Sequence, residues 1–407
     1  MTSQTAAIQT PAGTCRTLYG ISTLLTMVYQ NIDVMPIWNE LMARFNDDLT
    51  DAHAIMDLSI LLQATGQRDK GLEIQAMATD MQKVFTRVYG SGQGLKVAAF
   101  VTQGDFMANT PIDFLLEGSD FTLYYVYVDA VMQSLPPIAD CDIAFLAIGE
   151  SQDNAALLSH LTNLLNGWQG APILNCAPEK IKSLTRDGVY NLMQGAQNVF
   201  TAKTVISHRP ELLAVVSGSH ALDMAFPLIV RPYGTHAGKG MEKITSVTEL
   251  DAYLAACDAS VFYVAPFVDY SEADGLFRKQ RIVFIDGKPY ASHHAISNHW
   301  MVHYLSAQMV ENAEHRAEEA HWMAHFDDEF AIKHKVAFEA LCERFGLDYF
   351  GIDCAELADG RLFLFEADVA MIVHNMDPVD IFPYKKPAME KLFKAFQNLL
   401  HKKAKGG

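Results

Sequence analysis

Beyond the break Gly90-Ser91-Gly92-Gln93-Gly94, short apolar runs at residues 95–101, 121–128, 143–148 and 172–175 alternate with helical stretches such as 154–165. This alternation leaves few folds open, because parallel strands need long crossovers and a helix is the usual way to supply them. It predicts a parallel α/β sheet over residues 95–185. Further on the strands come in pairs. Asp286-Gly287 and Asp359-Gly360 are turn dipeptides between apolar runs, and they predict hairpins over 281–292 and 351–365. A last long helix over 384–401 places Met389, Leu392, Phe393, Phe396, Leu399 and Leu400 on one apolar face. The fold class is therefore α/β.

The chain before the break is different. Residues 1–15 read as a mobile leader, and residues 16–90 as helical throughout, an all-α domain. Leu58, Leu61 and Leu62 precede the turn Ala64-Thr65-Gly66-Gln67, after which Leu72, Ile74, Ala76 and Ala78 begin a second helix. This resembles one tetratricopeptide-like hairpin, with a fainter echo around Trp38. Helical repeats need neighbours to bury their faces, so a single hairpin supports a cap packed on the next domain as well as a peptide-binding array.

Composition limits the partners. With 50% hydrophobic and 19% charged residues in 407, the chain is long enough for two or three domains and apolar enough for sizeable cores. Lys plus Arg number 31 against 48 Asp plus Glu, a net charge of −17, and that average field repels nucleic acid and anionic lipid. Residues 17–32 are uncharged but contain Ser, Thr, Gln and Asn, which suits a buried helix better than a signal peptide. No run reaches the roughly 18 apolar residues that span a bilayer. The six cysteines show no metal or redox spacing and read as reduced, mostly buried thiols, so the cytoplasm is the expected compartment.

Two segments carry chemistry. In the first, residues 227–230 form an apolar strand that ends in Arg231-Pro232 and opens into a loop with Gly234, Gly238 and Gly240. Missing β-carbons let backbone N–H groups approach phosphates, and Arg231 with Lys239 supplies local positive charge. The loop is not a Walker A sequence, since Gly238-Lys239 is followed by Gly240. In the second, Asp353 lies on one arm of a hairpin, and Glu366 and Asp368 share a face of the other. Three converging carboxylates repel each other, and Mg²⁺ shared with phosphate oxygens relieves that repulsion; a solvated edge strand is the plainer alternative.

The loop after Pro227-Leu-Ile-Val-Arg-Pro232, the Gly351-Ile-Asp353 strand and the Phe365-Glu-Ala-Asp368 strand together resemble the ATP-grasp superfamily. Pro172-Ile-Leu-Asn175 with Leu184-Thr-Arg-Asp187, Phe262-Tyr-Val-Ala-Pro-Phe267 and Arg281-Ile-Val-Phe-Ile-Asp-Gly287 resemble further landmarks of that family, in the expected order over residues 95–400. The resemblance implies an α/β domain over 95–185 followed by a two-lobed nucleotide-binding and catalytic domain over 186–401. It implies ATP and Mg²⁺ as cofactors, with Asp353, Glu366 and Asp368 as metal ligands. It implies that Arg186, Arg231, Gly234, Thr235, His236, Gly238, Lys239 and Gly240 meet the phosphates, and that Ala265, Phe267 and Val268 meet adenine. Arg231 and Arg281 take the catalytic, charge-stabilising roles, and Asp269 or Asp274 the ribose. The chain departs from the family pattern at Gly188, where lysine is common, and at Asp368, where asparagine is common.

Seven of the 15 histidines fall between 293 and 325. His299 and His303 have the i, i+4 spacing of a helical zinc pair but lack a third ligand, so packing or pocket lining is the reading. His293, His294, Ser297 and Asn298 follow the Arg281 strand and are the expected acceptor-pocket lining. The implied activity is ATP- and Mg-dependent ligation of a carboxylate to an amine, on an amino acid or peptide, through an acyl-phosphate. A small-molecule kinase of the same fold and a nucleotide-binding scaffold with a peptide-docking helical domain are the alternatives. No nucleic-acid or membrane partner is expected, and a homodimer is left open.

Overall fold

The computed structural model describes residues 16–138, 140–235, 238–304 and 307–406. Four helices open this part of the chain: α1 (Ile21–Tyr29), α2 (Met35–Asp47), α3 (Ala52–Ala64) and α4 (Arg68–Met81). Asp51 caps α3 by accepting the Ala54 N–H at 3.0 Å. At the other end Gly66, at φ 84°, makes the predicted turn into α4. Helix α3 is apolar around most of its circumference and is buried accordingly. Within it the buried Asp57 accepts the N–H groups of Tyr19 at 2.7 Å and Gly20 at 3.1 Å, which fixes the start of α1. The helical pattern stops at Met81, because the next segment, Val84–Val88, is a strand.

That strand, β1, is the edge of a sheet ordered β1-β3-β2-β4-β5, with β2 (Lys96–Val101), β3 (Thr122–Tyr127), β4 (Ile143–Leu146) and β5 (Ile173–Leu174). Strands β2 to β5 are parallel, as the alternating runs predict, and β1 alone runs antiparallel. The helices are not a separate body. Ile55, Met56 and Ala78 share one apolar core with Val97 and Leu123 of the sheet and with Phe396 and Leu400 of the last helix, Lys385–Ala404. A second, smaller cluster around Leu24, Leu41, Leu58 and Leu61 lies chiefly among the four helices themselves.

Two further sheets follow. Strands β7 (Val205–His208), β8 (Leu228–Pro232), β9 (Glu242–Ile244) and β10 (Val261–Pro266) form a small antiparallel sheet ordered β7-β10-β8-β9, with its own core around Leu212, Val230, Leu254 and Phe262. Strands β11 (Phe277–Ile285), β12 (Lys288–Ser297), β13 (Tyr349–Glu356) and β14 (Leu362–Asp368), with the short β6 (Val199–Phe200), form the large sheet ordered β12-β11-β13-β14-β6. Both expected hairpins are present. Asp286 and Gly287 take φ of 52° and 75°, the left-handed pair that a two-residue turn with matching twist requires. The fold is thus α/β, one mostly parallel sheet followed by an antiparallel one and by a large sheet that is antiparallel except where β6 pairs parallel with β14. Among the described residues no helix is long and apolar enough to cross a membrane. The described cysteines are free thiols, though only Cys354 is buried and Cys176 is exposed.

Candidate active site

A cavity of about 590 Å³ separates the small sheet from the large one. Strands β8 and β10 form one wall and β11, β13 and β14 the other, while Glu150, just past the end of β4, closes one end. The large-sheet wall is built by register. Arg281 on β11 faces Asp353 on β13, and Asp353 faces Glu366 on β14, so one row of charge crosses three strands. Arg281 grips Asp353 with two nitrogens, Nε to Oδ1 at 2.7 Å and Nη2 to Oδ2 at 3.0 Å. Lys279, two residues away on the same face, donates to Asp353 Oδ2 at 2.9 Å. Glu366 accepts from Arg186 Nη2 at 2.6 Å.

These pairings change how the carboxylates are satisfied. Burial alone would raise the Asp353 pKa, but Arg281 and Lys279 hold it well below the usual carboxylate range. Burial likewise opposes ionisation of Glu366, and Arg186 outweighs it and lowers the pKa. Thus the repulsion expected among the three carboxylates is relieved at two of them by the chain's own cations. The third differs. Burial raises Asp368 to about 6 despite backbone N–H groups that favour its charge, and burial with Asp368 nearby raises Glu150 to about 7. At the Glu150–Asp368 end, burial and the nearness of the two carboxylates therefore favour their protonated forms.

That donor set is all carboxylate oxygen, the ligand chemistry of a hard divalent cation. Among the described residues no group of three or more His, Cys, Asp and Glu is arranged to hold a metal ion. A cation at Glu366 and Asp368 would accordingly need oxygen from a bound phosphate, as Mg²⁺ usually does. Asp353, already engaged by two cations, is less available as a ligand than its spacing suggests.

Across the cleft, Arg231 ends β8 with its guanidinium buried and donating to the Thr235 carbonyl. Burial and the neighbouring Arg186 lower its pKa to about 10, so it stays cationic at neutral pH. Gly234, Gly238 and Gly240 adopt φ of 72°, 72° and 68°, a conformation that side chains disfavour. Of the loop, Gly238 lines the cleft and Lys239 is exposed, while His236 lies outside the described residues. Ala265, Phe267 and Val268 line the apolar end beside Trp300. Lys243 sits over the Phe267 ring, 3.5 Å from its centroid, and the Phe267 N–H is spent on the Pro227 carbonyl at 2.9 Å. Asp274 is engaged by Arg278 at 2.8 Å, and Asp269 by the Ser271 N–H at 2.9 Å.

His293, His294, Ser297 and Asn298 do not line the cleft. They belong to the β12 side of the large sheet, with β11 between them and the carboxylate row. The His293 ring lies against Tyr304, His294 lies between Gln280 and Glu318, and Asn298 is exposed. His303 from the same stretch reaches the cleft instead, and no helix joins it to His299. Sequence reasoning missed Lys279 and Glu150. Lys279 is two positions before Arg281, where period-2 alternation puts it on the same face, and Glu150 follows a strand of the parallel sheet, where ligands bind in open α/β sheets.

Comparison with known sequences finds no family profile that matches and no similar curated protein. Solved structures similar to the chain include an ATP-grasp RimK domain protein from Sphaerobacter thermophilus, at 12% identity over 75% of this chain and 99% of that one, with a TM-score of 0.42. The VanG D-Ala:D-Ser ligase of Enterococcus faecalis is similar at 13% identity over 76% of this chain and 100% of its own, with a TM-score of 0.45. D-alanyl-alanine synthetase A of Vibrio cholerae is similar at 13% identity over 77% and 99%, also with a TM-score of 0.45.

Proposed function

We propose that the chain is an ATP-grasp ligase that uses ATP and Mg²⁺ to join a carboxylate to an amine, on an amino acid or peptide, and releases ADP and phosphate. The observation that carries this reading is the charged row Lys279, Arg281, Asp353, Glu366 and Arg186 facing Arg231 across one cleft. Four cations and four carboxylates line a single cavity with an apolar end, a surface suited to a polyphosphate at one side and a flat apolar base at the other.

In this reading residues 16–90 are a cap, 95–185 the preceding α/β domain and 186–401 the nucleotide-binding and catalytic domain. The aromatic and apolar end at Ala265, Phe267 and Val268 takes adenine. Arg231 and Arg186, with the glycine loop of Gly234, Thr235, Gly238, Lys239 and Gly240, take the phosphates. Glu366 and Asp368 would hold Mg²⁺, whose charge would offset that of the phosphates, and Glu150 lies behind them. Lys279 and Arg281, held on the wall by Asp353, face the transferred γ-phosphoryl group and stabilise the charge spread over its oxygens.

The substrate carboxylate oxygen attacks the γ-phosphorus, and the bond from γ-phosphorus to the bridging oxygen breaks toward ADP. The amine then attacks the acyl carbon, phosphate leaves, and the nitrogen loses a proton. No side-chain nucleophile is needed, so the chain's contribution is positioning and electrostatics. The free cysteines suit a reducing compartment such as the cytoplasm. The test is ADP release with pairs of carboxylates and amines, each product weighed by mass spectrometry. Turnover that needs both substrates supports ligation, and a phosphorylated product from one substrate would make the chain a kinase.

A further inference from the structure

Glu150 and Asp368 meet at one end of the charged cleft but come from different sheets: Glu150 lies just past β4 of the first sheet, and Asp368 ends β14 of the large one. No ladder joins the two sheets, so the register that aligns Asp353 with Glu366 cannot set the spacing of this pair. Residues 102–110, which follow β2, bond to the chain beside both carboxylates.

On the first-sheet side this segment lies along the chain that leaves β4. The Thr110 N–H donates to the Ala147 carbonyl at 2.6 Å, the Gly149 N–H donates to the Ala108 carbonyl at 3.0 Å, and Asn109 pairs with Ile148 between them. On the large-sheet side the Thr110 hydroxyl, on a residue 3% exposed, donates to the Val369 carbonyl at 2.8 Å. Thr110 therefore holds together a point three residues before Glu150 and a point one residue after Asp368.

Gly149 closes the same gap. A β-carbon built on it would lie 2.5 Å from the Ala370 β-carbon and 3.5 Å from Asp368 Oδ1. Carbon atoms in contact normally stand about 3.5–4.0 Å apart, so the two backbones approach as closely as a missing side chain allows. Ala370 in turn donates its N–H to Asp368 Oδ1 at 3.1 Å, so Gly149 packs against a residue that holds the carboxylate. The segment is itself braced. Asn109 bonds both the N–H and the carbonyl of Thr102, at 2.9 and 2.8 Å, and Gln75 of α4 does the same for Gly104, at 2.8 and 3.1 Å.

We infer that residues 102–110 are a clasp that sets the spacing of Glu150 and Asp368, and that Thr110 and Gly149 are positioning residues acting through Asp368. Neither lines the cleft, so neither touches the reacting atoms. The use of Asp368 to hold a divalent cation on bound ATP rests on the ligase reading above.

Two measurements on the full chain test the clasp. The first is the crystal structures of wild type, Gly149→Ala and Thr110→Val without nucleotide. The separation of the Glu150 and Asp368 α-carbons should grow in both variants, by about 1 Å in Gly149→Ala, where the new β-carbon needs that much room. The second is Mn²⁺ binding followed by electron paramagnetic resonance, with a non-hydrolysable ATP analogue present. Affinity should fall about 10-fold or more in Gly149→Ala and about 3- to 10-fold in Thr110→Val, and Thr110→Ser, which keeps the hydroxyl, should restore it to within about 2-fold of wild type. The two Thr110 variants suffice if Gly149→Ala does not fold. A clasp that serves stability alone would lower the melting temperature of the variants and leave their Mn²⁺ affinity at the wild-type value. That result, or an unaltered separation, overturns the inference and leaves the ligase reading intact. A separation that grows as expected in a chain whose wild type binds no Mn²⁺ with the analogue would sink the ligase reading and keep the clasp.

Discussion

The charged cleft and a second cavity, of about 300 Å³ between the helical cap and the first sheet, both have Ile372 in their walls and solve burial in opposite ways. In the charged cleft, Asp353 and Glu366 stay ionised because cations face them, Arg281 from the neighbouring strand and Arg186 from the start of a helix. Under the cap, charge is consumed within the wall, where Asp113 accepts the Ser22 N–H and the Tyr89 hydroxyl, and the lining is mostly apolar. A site that handles moving negative charge needs fixed cations at hand, whereas a seam between cap and sheet needs only packing and internally satisfied polar groups.

Breaking the charged row should have the largest effect. Arg281→Met leaves Asp353 buried with only Lys279, and loss of a partner from a buried pair costs about 3 kcal/mol or more. Chemical denaturation should register that loss, and ADP release should fall by about 10³-fold or more. The double substitution Arg281→Met with Asp353→Leu should regain much of the stability and none of the turnover. Recovery of turnover in the double variant would show that the row is structural only.

Glu366→Gln separates stability from chemistry. Its side chain is 34% exposed, so the lost pair with Arg186 should cost at most about 1 kcal/mol, while turnover drops by about 10²-fold. A third substitution uses pH. Glu150 has a folded pKa of about 7, above its ordinary 4.5, so the folded state holds its proton more tightly than the unfolded chain does. The resulting penalty is absent below pH 4.5 and complete above about 7. Glu150→Gln should therefore raise the melting temperature at pH 8 and leave it nearly unchanged at pH 4.5. An equal shift at both pH values would contradict the environment assigned to Glu150. The smallest effect belongs to the apolar cavity. Tyr125→Phe removes a hydroxyl with no partner, and stability should stay level or rise by less than about 1 kcal/mol.

Much of this was legible in the chain. The alternation from residue 95 onward and the Asp-Gly turns led to the right strands because turn chemistry and strand period are local. Asp353, Glu366 and Asp368 are legible as a set because period 2 and a short hairpin leave little freedom in register, whereas Arg281, on another strand, is reached only through the family resemblance. The strand at Val84–Val88 was not, since its pairing with β3 is nonlocal and its sequence continues a helical texture. His293 and His294 were misplaced for a related reason. Nearness in sequence to Arg281 put them in the pocket, but strand order puts β11 between them and the carboxylate row. The second cavity was invisible because it forms where four distant segments meet.

The most direct test of the central claim is Mg²⁺-dependent ADP release, measured with a carboxylate and an amine added separately and together, in the wild type and in Glu366→Ala. Release should occur only with both substrates, give a product whose mass is their sum less one water, and be almost completely lost in Glu366→Ala. Release that needs a single substrate, or that persists undiminished in Glu366→Ala, would contradict it.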